Sequence, residues 1–426
     1  MNNVKLILQH ILSYNSRTIF LCMFTIVGLV SSRAVMSIGT IALFVNIILV
    51  GDYKNTLKKF YAQKELFAIS FLFFAALISL VFTSNKTDGL QFVINKLPLI
   101  VMPLALSRFK NFGLGHLYVL LSFFVLVALL SVSVVMFTYY QDFEIVTNNL
   151  KKGQALWVPL NHIRYGLTLT FAFISAIFLI LKNTLVFKEK QMFLKYLFGF
   201  IALILFITIH ILAIRSAILT LYLSMLFSLF YYVLKTKKYK LFALSLVFIL
   251  SIPIVSYYTV ASFQNKFNYM KYDWKQYLKK DIGNNSDARR LRSYKVGFEL
   301  VKEKFLFGFG VGNTKKGIDA YYQKKYPAIN IKNRISPHNQ FLYTLIDYGL
   351  IGLFGLCITL FFSLYWLKNK KGRLLFLLFW IIANTPLLFD ISLEMQLGIT
   401  FFSLFSSLLL KQIADQTLNL SYENRN

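Results

Sequence analysis

Long apolar stretches separated by short polar breaks recur from position 17 to position 411 of this chain. A run of about 20 mostly apolar residues crosses the hydrocarbon core of a bilayer as a helix. The runs are continuous rather than alternating, which excludes the other spanning solution, a closed barrel. The pattern predicts about twelve transmembrane helices, near 17–31, 34–51, 65–83, 97–108, 114–138, 163–181, 194–213, 216–234, 241–261, 339–367, 374–389 and 395–411. The fourth is short and bounded by Pro98 and Pro103, the pattern of a broken or re-entrant segment. The expected fold class is therefore an all-α, polytopic integral membrane protein.

Two segments are too polar to be membrane: 140–162, rich in Asn and Gln, and 262–337. The chain divides into nine spans over 1–261, the long loop 262–337, three spans over 338–411 and a tail over 412–426. Within the loop, Leu291, Tyr294, Phe298 and Val301 recur at helical spacing, so an amphipathic helix is expected from Ser286, with Ser286 or Asp287 as its cap. The aromatic series Tyr257, Tyr258, Phe263, Phe267, Tyr269, Tyr272, Trp274 and Tyr277 suits a segment lying on the membrane interface. Gly308-Phe309-Gly310-Val311-Gly312-Asn313 is Gly-rich but lacks the strand–helix unit of a nucleotide fingerprint. A tight turn returning the loop to the membrane fits it better.

Charge adds sidedness. Lys54, Lys58, Lys59 and Lys64 follow the second span, and Arg108 and Lys110 the fourth. Lys182, Lys188, Lys190 and Lys195 follow the sixth, Lys235, Lys237, Lys238 and Lys240 the eighth, and Lys368, Lys370, Lys371 and Arg373 the tenth. All five clusters fall on even-numbered connections, which puts both termini in the cytoplasm and the two polar segments outside. No cleavable signal precedes the first span, so the N-terminus is expected to remain attached. The net charge of +29 then reads as positive-inside bias rather than nucleic-acid binding. The long loop breaks the trend with 17 Lys and Arg against 6 Asp and Glu, and such outward cations fit an anion at the outer leaflet, with a lipid-linked phosphate the obvious candidate. Cys22 and Cys357 both lie in apolar runs and imply no disulfide framework.

The chain has five histidines. His338, in Ser336-Pro337-His338-Asn339-Gln340-Phe341-Leu342, stands where the cationic loop enters an apolar helix. A neutral imidazole there can take a proton near physiological pH, and neighbouring positive charge favours the neutral form. Arg215 sits with Ser216 in the tight outward turn after the seventh span, where lipid snorkelling and ligand binding are equally open readings. Arg289, Arg290 and Arg292 offer guanidinium forks that suit the paired oxygens of a diphosphate. His162 and Arg164, Lys96 at the outward end of the fourth span, and Asn339 complete the candidate binding set. No metal-ligand cluster of His, Asp and Glu appears, so neither metal nor cofactor is expected.

Four features in order resemble the O-antigen ligase and polymerase superfamily of bacterial envelope glycosyltransferases. They are Arg215-Ser216-Ala217 between two spans, Arg290 four residues before Tyr294, Phe305-Leu306-Phe307-Gly308-Phe309-Gly310-Val311-Gly312-Asn313, and His338-Asn339-Gln340-Phe341-Leu342 with Gly349-Leu350-Ile351-Gly352. The third lacks the proline usual in the family. The resemblance implies a GT-C-like inner-membrane protein with a periplasmic loop and a periplasmic active site. It would transfer a glycan from undecaprenyl diphosphate to a hydroxyl acceptor such as lipid A–core, inverting the anomeric centre without a metal. By matched position, Arg215 and Arg290 would bind the diphosphate and stabilise the leaving group, and His338 would act as general base or orient the acceptor. A repeat-unit polymerase of the same superfamily is the sibling reading. A transporter or flippase of lipid-linked sugar is disfavoured, because few charges lie within the spans and no internal repeat is evident.

Overall fold

The computed structural model describes residues 13–151, 154, 156–182, 191–278 and 286–423. Among them all regular structure is helical. In chain order the helices are α1 (Tyr14–Val30), α2 (Arg33–Ile48), α3 (Tyr53–Ala62), α4 (Lys64–Phe82), α5 (Lys86–Asn95) and α6 (Pro98–Arg108). Next come α7 (Leu114–Gln141), α8 (Phe143–Lys151), α9 (His162–Lys182), α10 (Gln191–Leu212), α11 (Arg215–Thr236) and α12 (Tyr239–Thr259). The long loop holds α13 (Ala261–Leu278), α14 (Ser286–Glu303) and α15 (Thr314–Lys325). The chain ends in α16 (Gln340–Trp366), α17 (Leu374–Leu388) and α18 (Gln396–Glu423).

Every apolar run marked in the sequence is helical, but fewer than twelve are full-length spans. Nine helices among the described residues are long and apolar enough to cross a membrane, or ten if the pair α2–α3, bent by 114°, counts as one. The helices α1 and α17 are shorter apolar helices. The fourth span also differs from expectation. It starts at Lys86 and runs to Arg108, because α5 and α6 meet at a turn at Lys96 and Leu97, with Pro98 opening α6 where its missing N–H costs nothing. Lys96 therefore lies within the span, roughly 15 Å of helix rise from its start.

The apolar window of α18 is entirely buried, making it the centre of the bundle; it packs against α6, α17, α1 and α2. The long loop has a small core of its own. Val296 and Leu300 of α14, Ile318 and Tyr322 of α15, and Leu342 and Ile346 of α16 are all buried together. The stripe expected on α14 is thus split: Leu291 and Phe298 face out, while the buried row is Ser293, Val296, Gly297 and Leu300. The helix docks on α15 and α16, and that contact, not the interface, selects its inner face. Its expected cap at Ser286 or Asp287 involves side chains outside the description, as does that of Tyr277.

The two glycine motifs meet each other. Gly349 breaks α16 with φ 65° and ψ −157°, a region open essentially to glycine alone. Into that break fits the turn 305–312: Phe309 N–H donates to Ile346 O (2.8 Å), Gly310 N–H to Asp347 O (3.0 Å), and Leu350 N–H to Leu306 O (3.1 Å). Val311 N–H donates to Ser79 Oγ (3.0 Å) and Thr83 Oγ1 to Val311 O (2.8 Å), so the turn is pinned to α4 as well. The Gly-rich stretch is a returning turn, as its sequence suggested.

Candidate active site

The chain bends at His338 and enters α16 through Asn339, which is extended at φ −148° and ψ 120°. Asn339 caps the helix, its Oδ1 accepting from Leu342 N–H at 2.9 Å, and its Nδ2 donates to Leu388 O at 3.0 Å. Both ends of the amide are thus engaged within the protein, which gives Asn339 a capping role. One residue earlier, His338 lies at the meeting point of α14, α16 and the 388–394 strap. Its carbonyl accepts from the Tyr294 hydroxyl at 2.9 Å, which ties it to α14. Its Nδ1 is buried with no hydrogen-bond partner, so no protein acceptor fixes the tautomer from that side. Burial holds the imidazole below its ordinary proton affinity. Arg290 lowers it further, Asp390 opposes, and Arg164 and Arg289 add to the depression. The side chain is neutral at physiological pH and open to a proton.

Those partners define the site. Arg164, at the start of α9, donates from Nη2 to Asp390 Oδ2 at 3.1 Å, with both side chains nearly buried. Ser392 Oγ donates to the same oxygen at 2.6 Å. Arg289 Nη1 donates to Asn333 Oδ1 at 3.3 Å. The Nε atoms of Arg164 and Arg289 are buried without a partner in the protein, the state of donors suited to an anionic ligand. His162 lies within electrostatic reach of Lys266, Asp390, Arg164 and Arg290, so the two imidazoles flank one floor.

Arg215 approaches from the other side. Ala213, in left-handed conformation at φ 49°, turns the chain between α10 and α11 and leaves Arg215 exposed as the first residue of α11. It lines a cleft of about 310 Å³ together with Lys266, between apolar walls that include Ile218, Leu219, Phe263 and Phe267. Lys266 is the link, since it borders this cleft and reaches His162. Near the end of α10, His210 is satisfied by Phe206 O (2.8 Å) and the Tyr222 hydroxyl (2.7 Å) and is structural.

Two further expectations change. Arg292 faces Tyr322 of α15 and is not among the charges acting on His338. A rotation of about 100° per residue turns it away from the side that Arg290 shares with His338. Lys96 is fully buried, its Nζ 2.5 Å from Glu394 Oε2 and 5.4 Å from the Tyr348 ring centroid, so it has no surface to offer a substrate. Conversely, Asp390, Glu394 and Lys266 escaped the sequence reading. The available signal was scarcity: the chain has only 17 acidic residues, and two of them stand in the short break before α18.

This arrangement supplies a neutral base beside several fixed cations. It can take a proton from a hydroxyl while guanidinium groups receive negative charge on a leaving group. Among the described residues no group of three or more His, Cys, Asp or Glu is placed to hold a metal.

Residues 200–357 match the family model described as O-Antigen ligase, a segment that contains Arg215, Arg290 and His338. A protein of Haemophilus influenzae described as uncharacterized is 28% identical over 314 residues, 72% of this chain and 73% of that one.

Proposed function

Given a match that supports the O-antigen ligase and polymerase superfamily, with the apolar helices of a bacterial membrane protein, we propose that this chain is an inner-membrane glycosyltransferase of the ligase type. It moves a glycan from undecaprenyl diphosphate to a hydroxyl of lipid A–core at the periplasmic face. The loop 262–337 lies on that face, between spans over 1–261 and 338–411, and both termini and the tail 412–426 are cytoplasmic. Arg290 and Arg215 hold the diphosphate, helped by Arg289, Arg164 and His162. The His338 imidazole takes the proton of the acceptor hydroxyl as its oxygen bonds to the anomeric carbon. The bond from that carbon to the diphosphate oxygen breaks in the same displacement, its electron pair leaves on the diphosphate, and the centre inverts. No metal is needed, because the leaving group is already good and the guanidinium forks take its charge.

The observation that carries this reading is His338: a ring with a buried, unpartnered Nδ1, whose proton affinity is held down by burial and by Arg290, Arg164 and Arg289. A strain deleted for the gene tests it through its surface polysaccharide. Loss of core attachment with long lipid-linked chains retained is expected, restored by the wild-type gene but not by His338→Ala at equal membrane abundance. Chains of a single repeat unit would instead identify the polymerase of the same superfamily. Full restoration by His338→Ala would overturn the mechanism.

A further inference from the structure

The proposed chemistry leaves two buried ion pairs unused: Lys411–Asp415, within one helix, and Lys96–Glu394, between segments far apart in sequence. Lys96 and Glu394 are 0% and 2% exposed. Burying such a pair costs several kcal/mol of desolvation per ion, and apolar replacements of similar volume are often as stable, so the pair calls for an account other than stability. Its hydrogen bonds supply one. Glu394 Oε1 accepts from Gln340 Nε2 at 2.8 Å, and Oε2 accepts from Lys96 and from the Tyr348 hydroxyl at 3.0 Å. Gln340 Oε1 in turn accepts from Leu393 N–H at 2.9 Å. Gln340 and Tyr348 bracket the piece of α16 that lies between His338 and the break at Gly349. One carboxylate therefore grips that piece at both ends.

The same strap carries the site's acid. Within 388–394, Leu388 O holds Asn339, Asp390 holds Arg164, and Leu393 and Glu394 hold Gln340. Whatever fixes the strap against 340–348 fixes the spacing of His338 from Arg164 and Asp390. We propose that Glu394, anchored by Lys96, is a positioning residue that sets the place of His338 relative to the cationic floor. The role rests on the function proposed above but is read without it.

The test uses the full-length protein in detergent, with Lys96→Met and Glu394→Gln combined. Together they remove both charges at nearly constant volume, so the net charge near His338 is unchanged and any effect on it reports geometry. The groups facing His338, namely Arg290 and Arg289 of α14, Arg164 of α9 and Asp390 of the strap, stay in place. The pH dependence of His338 modification by diethyl pyrocarbonate is followed by mass spectrometry. The midpoint is expected to rise toward the ordinary value of a free imidazole as the ring loosens from its buried, cationic setting. Glycan transfer should lose at least tenfold in kcat, with donor KM within twofold, while Tm stays within a few degrees. A merely structural pair would lower Tm and leave the His338 midpoint alone. If the double variant does not fold, Tyr348→Phe removes the lower grip only and should move the midpoint the same way by less. An unchanged midpoint in a folded variant overturns the proposal. Wild-type protein that transfers no glycan, with the midpoint shift still seen in the double variant, would sink the functional reading and leave the positioning role standing.

Discussion

Replacing Gly349 with alanine puts a methyl group where α16 crosses the turn 305–312. An ideal Cβ there would lie 2.3 Å from Leu306 O, 2.5 Å from Leu306 C and 2.6 Å from Gly308 N, all backbone atoms that cannot swing aside. The backbone is also at φ 65° and ψ −157°, where a side chain costs about 1–3 kcal/mol. Pushing the turn away adds about 1–3 kcal/mol of overpacking. It also stretches the bonds from Phe309 and Gly310 to the carbonyls of Ile346 and Asp347. We expect a loss of about 2–6 kcal/mol, read as a fall in Tm of the detergent-purified protein by intrinsic fluorescence. Gly199→Ala is the control. Nothing lies within 4 Å of its Cβ position, and Gly to Ala inside a helix is neutral or stabilising by up to about 1 kcal/mol. Equal melting of wild type and Gly349→Ala would refute the account of the helix break and of the turn seated in it.

Four other outcomes are expected. Transfer by His338→Ala should fall by about 10²–10⁴-fold at neutral pH with the protein still folded; a smaller loss argues against a general base. Because burial and Arg290 hold His338 below its ordinary affinity, activity persists above that lowered value and is lost as pH falls through it, and residual activity of Arg290→Ala should fail at higher pH than wild type. Asp390→Asn leaves Arg164 buried beside a neutral partner. It should destabilise by up to about 3–5 kcal/mol in thermal melts, partly recovered by adding Arg164→Met. Purified protein should transfer glycan undiminished in EDTA; inhibition reversed by added divalent cation would reject metal-free chemistry.

How the site was legible differs from residue to residue. Arg215, Arg290 and His338 stood out because a cation or imidazole at the edge of an apolar run is conspicuous, and the matched segment 200–357 contains all three. Lys96, Arg292 and Asn339 were marked for the same reason, and the structure sets each against a protein neighbour that the sequence does not show. Glu394 takes up Lys96 from nearly three hundred positions away. Arg292 differs from Arg290 only in the side of α14 it occupies. Asp390 and Glu394 were passed over since an acid in a short connecting break has no local pattern; their meaning arises from Arg164, Lys96 and Gln340.

Hydropathy, read along the chain, was enough to determine the helical membrane class and the approximate place of most apolar helices. Those properties follow from one-dimensional facts: the bilayer's thickness and the need for every backbone group within it to find a partner. The tertiary structure alone decided which of those helices are long enough to span, which face of α14 is inner, and that two glycine motifs are halves of one joint. It also decided which acid each buried cation meets. Such outcomes depend on contacts between residues far apart in sequence, where a buried charge keeps or loses its freedom according to the acid that packing brings against it.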